Sequence, residues 1–211
     1  MRTYSPEDMQ EATDFELLKE VDHRQIKGFI LEQMYEPTKW LRLYGIYQVA
    51  MIFLFLVLLG FALQKAFNGN LSPLWWILGA LVFSVTVLVV LHEAMHALVY
   101  WIYGARKLTV GAIWRKFIFY IAADRQVVDY AVFKKVALAP FVVVNVLTII
   151  PGVLLWPQPV AGFFLSIMCI HSLFCAGDVA MLSFYAKHSD KTIYNFDDLS
   201  RGKTFFYAKK N

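Results

Sequence analysis

LWWILGALVFSVTVLVVLHEAMHALVYWIY, Leu74 to Tyr103, runs through the chain with Glu93 as its only formal charge. A helix of this length outreaches the roughly 30 Å hydrocarbon core of a bilayer. Its second half nevertheless carries His92, Glu93 and His96. Ionisable groups are costly at membrane depth, so three together call for a function. Four residues apart on a helix, His92 and His96 share one face, and both imidazoles can reach a single zinc ion. Glu93 sits beside them as candidate general base on a metal-bound water.

Three further apolar runs are long enough to span: Leu41 to Leu63, Val136 to Trp156 and Val160 to Ala186. Short turns join the outer pairs, one through Asn68-Gly69-Asn70 and one through Pro157-Gln158-Pro159. The 211-residue chain is 59% hydrophobic and 17% aromatic, with a mean hydropathy of +0.52. That composition points to a bilayer, with Trp and Tyr at the run ends as interfacial anchors.

The basic residues choose an orientation. The loop between the first two runs carries only Lys65, and the turn between the last two carries no charge. The segment from Arg106 to Lys135 holds seven Lys or Arg residues, and the tail from Lys187 to Lys210 holds six. By the positive-inside rule both termini and the middle segment are cytoplasmic, which an even number of spans requires. The formal charge of +4 is therefore read as topology and not as nucleic-acid binding. The polar N-terminus lacks the apolar core of a cleavable signal peptide, so insertion falls to the first span. Cys169 and Cys175 would point to different sides of one helix, which argues against a mutual disulfide.

Between the spans the patterns are weaker. Glu7 to Met34 mixes Leu17, Leu18, Val21, Ile26, Phe29 and Ile30 with charges at roughly helical spacing, and predicts one or two amphipathic helices ended by Pro37. Residues 107–113 and 117–122 are β-prone runs separated by Trp114-Arg115-Lys116, which predicts a hairpin at the cytoplasmic interface. Thr192 to Phe196 and Lys203 to Tyr207 predict a second. The fold class is thus an all-α polytopic membrane protein of four transmembrane helices, with a small β-hairpin between helices two and three.

A catalytic zinc needs a third protein ligand. The fourth run supplies His171, Cys175 and Asp178 on one helical face. Depth discriminates among them. His92 and His96 lie roughly 14 Å inside the cytoplasmic end of their helix, Asp178 lies at nearly the same depth, and His171 about 10 Å further out, able to approach if its helix tilts or breaks. Asp178 is therefore the predicted ligand, and Gly177 before it leaves room for close approach or local unwinding. His171 is read as a histidine hydrogen-bonding between helices and Cys175 as a packing residue, with thiolate ligation as the alternative. Asn145, near Pro140 in the third run, can serve as a structural hydrogen-bonding residue or hold a substrate carbonyl.

His92-Glu93-Ala94-Met95-His96-Ala97-Leu98 and Gly177-Asp178-Val179 resemble the motifs of a bacterial membrane zincin metallopeptidase family, long known only as a domain of unknown function. The arrangement is also similar to site-2 proteases, where an HExxH helix and an Asp on a later helix bind zinc within the membrane. The Asn-Pro-rich stretch that precedes that Asp in site-2 proteases is absent here.

The organisation expected is a cytoplasmic amphipathic segment over 1–40, a four-helix membrane zincin domain over 41–186 and a cytoplasmic tail over 187–211. The expected activity is a membrane-embedded zinc metalloprotease acting on membrane or membrane-proximal proteins and peptides. Its cofactor is Zn2+ on His92, His96 and Asp178, and Glu93 is its catalytic base. The rival reading is a non-catalytic membrane protein that binds or moves a metal ion. A third reading has the histidines only packing helices.

Overall fold

A computed structural model describes residues 4–113 and 118–210. Most of the described chain is helical. The helices are α1 (Pro6–Glu11), α2 (Ile26–Tyr35), α3 (Lys39–Phe67), α4 (Ser72–Phe83), α5 (Val89–Ile102), α6 (Tyr130–Leu154), α7 (Pro159–Phe174) and α8 (Ala176–Lys187). The strands are β1 (Phe15–Asp22), β2 (Leu108–Ile113), β3 (Ile118–Ala123), β4 (Val128–Asp129), β5 (Thr192–Asp198) and β6 (Lys203–Lys209).

Three helical stretches, Lys39–Phe67, Ser72–Ile102 and Tyr130–Leu154, are long and apolar enough to cross a membrane. The pair Pro159–Phe174 and Ala176–Lys187 makes a fourth if it is counted as one span, although it bends at Cys175. The second stretch is not a uniform α-helix. A π-turn over Ser84–Leu88 links α4 to α5 one turn before His92. Each i→i+5 turn inserts one extra residue, so it rotates every later side chain about the helix axis. Thr86, inside the turn, donates its hydroxyl to the Val82 carbonyl at 2.7 Å.

The chain divides into two compact units. The first comprises Met1–Leu41, Glu93–Leu138 and Gly177–Asn211. It is organised by an antiparallel sheet in the order β1-β6-β5-β4. Phe15 pairs with Lys209, and Thr192 pairs with Lys209 from the other side, so β6 is central. Its core gathers Val21, Phe29, Phe133, Phe184, Ile193 and Phe206. Phe29 of α2 contacts both Phe184 of α8 and Phe206 of β6, with ring centroids 5.5 and 5.8 Å apart. The expected tail hairpin is present as β5 and β6. The strands β2 and β3 pair antiparallel from Leu108↔Ala123 to Ile113↔Ile118. The predicted turn through Trp114, Arg115 and Lys116 lies outside the described residues.

The N-terminal segment departs from the helical expectation. Residues 15–22 form β1, flanked by the short α1 and by α2. The sheet thus recruits the N-terminal segment, and the all-α expectation fails there. α1 begins at a capping box in which Ser5 and Asp8 satisfy each other's backbone N–H groups. Arg125, in the left-handed region at φ 57°, donates its backbone N–H to the Asp197 carbonyl at 2.8 Å. Its guanidinium reaches both Glu7 and the buried Asp198.

The second unit comprises Arg42–His92 and Ala139–Ala176. Leu58, Ala62 and Ile77 are buried between α3 and α4, with Leu165 of α7 against them. Gly69 at φ 85° ends α3, where Asn70 donates its N–H to the Lys65 carbonyl at 2.9 Å. In the same unit Tyr47 donates its hydroxyl to Asn145 Oδ1 at 2.7 Å, and Asn145 Nδ2 donates to the Phe141 carbonyl at 2.7 Å. Both sides of the Asn145 amide thus make hydrogen bonds within the helices.

Candidate metal centre

His96 lies on α5 and is 7% exposed. Its Nδ1 stands 2.9 Å from the Val136 carbonyl of α6. A carbonyl oxygen only accepts, so Nδ1 carries a proton, and in the neutral ring Nε2 presents its lone pair to a metal. Pro140 explains why that carbonyl is available. It lies four residues further along α6 and has no N–H to complete the intrahelical bond.

Nε2 of His96 faces Oδ1 of Asp178 at 3.5 Å. Asp178 belongs to the first turn of α8, where the helix dipole favours a carboxylate. A cation shared by Nε2 and the carboxylate, or a second ring proton that makes the contact an imidazolium–carboxylate ion pair, holds the two together. Two ligands of a tetrahedral zinc, each about 2.0–2.1 Å from the metal, stand about 3.4 Å apart. The observed separation fits two ligands of one metal ion, and it also falls within ion-pair range. The donor types, imidazole and carboxylate, are also those zinc accepts.

Glu93 is half-buried on the same helix, three residues before His96. Gly177 was expected to permit a close approach. A Cβ there would meet Ile30 Cδ1 of α2 at 3.5 Å, an ordinary contact. The other expectation for this glycine, local unwinding, fits the helix break at Cys175, two residues before it.

His92 is 5% exposed, and its Nδ1 stands 3.0 Å from Nε2 of His171. His171 is fully buried near the end of α7, and Cys175 Sγ, at the helix cap, lies 3.6 and 3.7 Å from its two ring nitrogens. One ligand atom from each of His92, His171 and Cys175 lies within 4.8 Å of the others. Cys169 and Cys175 are both buried and are not joined by a disulfide.

His171 is therefore an interhelical hydrogen-bonding histidine, as expected, but its partner is His92. The approach matches the expectation that His171 could come close if its helix tilted or broke. The predicted depth carried a rise of 1.5 Å per residue along one straight helix. The break at Cys175 puts His171 and Asp178 on different helices, so the rise does not carry across. The π-turn before His92 was likewise unforeseen. Its only sequence signal is Ser84 and Thr86, two hydroxyl residues in an otherwise apolar run.

Residues 85–193 match the model of a family described as "Putative zincin peptidase". The chain belongs to this family. The zincin stretch takes in His92, Glu93, His96, His171, Cys175 and Asp178, and includes every candidate ligand named above. Family membership supports a metallopeptidase with zinc as its metal. No curated protein and no solved structure matches this zincin-family chain.

Proposed function

We propose that this protein is a membrane-embedded zinc metalloprotease with His92, His96 and Asp178 as metal ligands and Glu93 as general base. The observation that carries the reading is the 3.5 Å approach of His96 Nε2 to Asp178 Oδ1, with the His96 ring oriented by the Val136 carbonyl. His92 lies one helical turn before His96 on the same face and completes the set. Zinc, when bound, would act as a Lewis acid on the peptide carbonyl and lower the pKa of a water toward neutrality. Glu93 would serve as the general base toward that water and as the proton donor to the leaving amine. Val136 holds the His96 ring in place through both steps. Asp178 is 22% exposed at its side chain, which is consistent with water reaching the site.

The arrangement follows the site-2-protease pattern of an HExxH helix and a later Asp. Four spans with both termini in the cytoplasm agree with the distribution of Lys and Arg. The substrates are membrane or membrane-proximal proteins and peptides, taken in extended form because helical hydrogen bonding shields a peptide bond. The two-stranded sheet of β2 and β3 offers an edge for strand addition, and Val110 on β2 is 72% exposed.

The test separates metal binding from chemistry. Glu93→Gln should retain about one zinc per chain while cleavage of a membrane-peptide panel falls by at least about a hundredfold. His96→Ala and Asp178→Ala should lose both. Unchanged cleavage by Glu93→Gln removes the base from the mechanism. The rival, metal transport, draws on the His92, His171 and Cys175 group. It predicts zinc flux into vesicles that depends on His171 and not on Glu93.

A further inference from the structure

We propose that His92, His171 and Cys175 form a second, thiolate-containing metal station for a soft or borderline divalent cation such as Zn2+ or Cd2+. The three residues belong to one compact unit and all are buried. With metal–nitrogen bonds of about 2.0–2.1 Å and metal–sulfur bonds of about 2.3 Å, tetrahedral corners stand roughly 3.4 Å (N to N) and 3.6 Å (N to S) apart. His92 Nδ1 to His171 Nε2 is 3.0 Å, and His171 Nε2 to Cys175 Sγ is 3.7 Å. Opening the histidine pair by about 0.4 Å brings both edges to tetrahedral values, and the third, from His92 to Cys175, lies within 4.8 Å and closes on the ion as it binds.

Binding here replaces protons with a metal ion. The Cys175 thiol releases its proton to solvent and enters as thiolate, while His92 and His171 each contribute a neutral ring nitrogen. Thiolate and imidazole together select soft and borderline cations over Mg2+ or Ca2+.

The station has a consequence for the hydrolytic site, and this part rests on the proposed function. A neutral imidazole has one lone pair. His92 enters the thiolate station through Nδ1, which puts its proton on Nε2. The hydrolytic site needs the opposite tautomer, with Nδ1–H donated to His171. One His92 therefore serves one metal at a time, and excess soft cation would draw it away from Asp178. The station thereby supplies an inhibitory metal site.

Titration of the detergent-solubilised full chain with Cd2+ tests this through the ultraviolet thiolate-to-cadmium charge-transfer band, independently of cleavage. The expected result is a band corresponding to one thiolate per chain. It should persist in Asp178→Asn and Cys169→Ser and fall to background in Cys175→Ser and His171→Ala. Cys175→Ser is nearly isosteric, and its helical circular dichroism should equal that of Cys169→Ser, so loss of the band reports ligation. A band that is absent from the wild type, or that survives Cys175→Ser, overturns the station. Persistence in Asp178→Asn keeps it standing even if the hydrolase reading fails.

Discussion

The backbone carbonyl of Val136 accepts the Nδ1–H of His96 at 2.9 Å, and it does so where Pro140 has removed the helix's own donor. A proline in a helix interior ordinarily costs about 3 kcal/mol. Here the lost bond becomes an orienting contact for a candidate metal ligand, of the kind that fixes both ring angle and tautomer. Pro140→Ala restores an N–H that competes for the same carbonyl. Zinc affinity, measured by chelator competition, should fall about tenfold while the helical content stays constant. Unchanged affinity would show that the carbonyl holds His96 without help from the proline.

How far the sequence disclosed this arrangement depends on how local each signal is. The apolar runs and the His92 to His96 spacing are contained within single helices, so periodicity reveals them. β1 is different. Phe-Glu-Leu-Leu-Lys-Glu-Val-Asp suits a helix as well as a strand, and its register shifts between Leu17 and Lys19. That irregularity spoils the alternation by which a strand is recognised, and its partner β6 is nearly the whole chain away. The break at Cys175 has no proline to announce it. The same break separates His171 from Asp178, so a straight-helix rise could not disclose the pairing of His171 with His92.

Asn145 offers a second test, because its amide is engaged on both sides by Tyr47 and Phe141. A polar contact of this kind between membrane helices contributes about 0.6 kcal/mol on average and up to about 1.7. Tyr47→Phe and Asn145→Ala should therefore lower stability by amounts in that range and leave the cleavage rate per folded molecule unchanged. Refolding equilibria in mixed micelles, read beside specific activity, check both. Loss of activity in Asn145→Ala with a silent Tyr47→Phe would place the amide on the substrate.

Gly152 of α6 marks a close helix approach. A Cβ there would stand 2.8 Å from Leu165 Cγ and 2.5 Å from its Cδ2 on α7. Cγ lies too near the backbone to swing clear, so Gly152→Ala should destabilise the protein by about 1–3 kcal/mol. Leu165→Ala makes a cavity of its own but removes the clashing atoms. The double variant should be more stable than the sum of the single losses, a coupling that thermal unfolding of the four proteins would reveal.

Acid sensitivity should trace to Asp198. Its carboxyl is held below the usual aspartate range, chiefly by the Ser200 hydroxyl. Burial opposes this, while the Arg201 N–H and the guanidinium groups of Arg125 and Arg201 reinforce it. A depressed carboxylate pKa contributes stability that is fully present above the unfolded value near 3.8. That stability drains away as pH falls through the lower folded value. Glu7, also lowered, shares the Arg125 guanidinium but lies exposed and adds little. Asp198→Asn keeps the shape but cannot titrate, so its midpoint should fall less steeply below about pH 4 than the wild type's. Asp198→Ala should cost about 2–3 kcal/mol at neutral pH, because the Ser200 and Arg201 donors lose a charged acceptor. Parallel acid limbs for wild type and Asp198→Asn would assign the sensitivity to a different carboxylate.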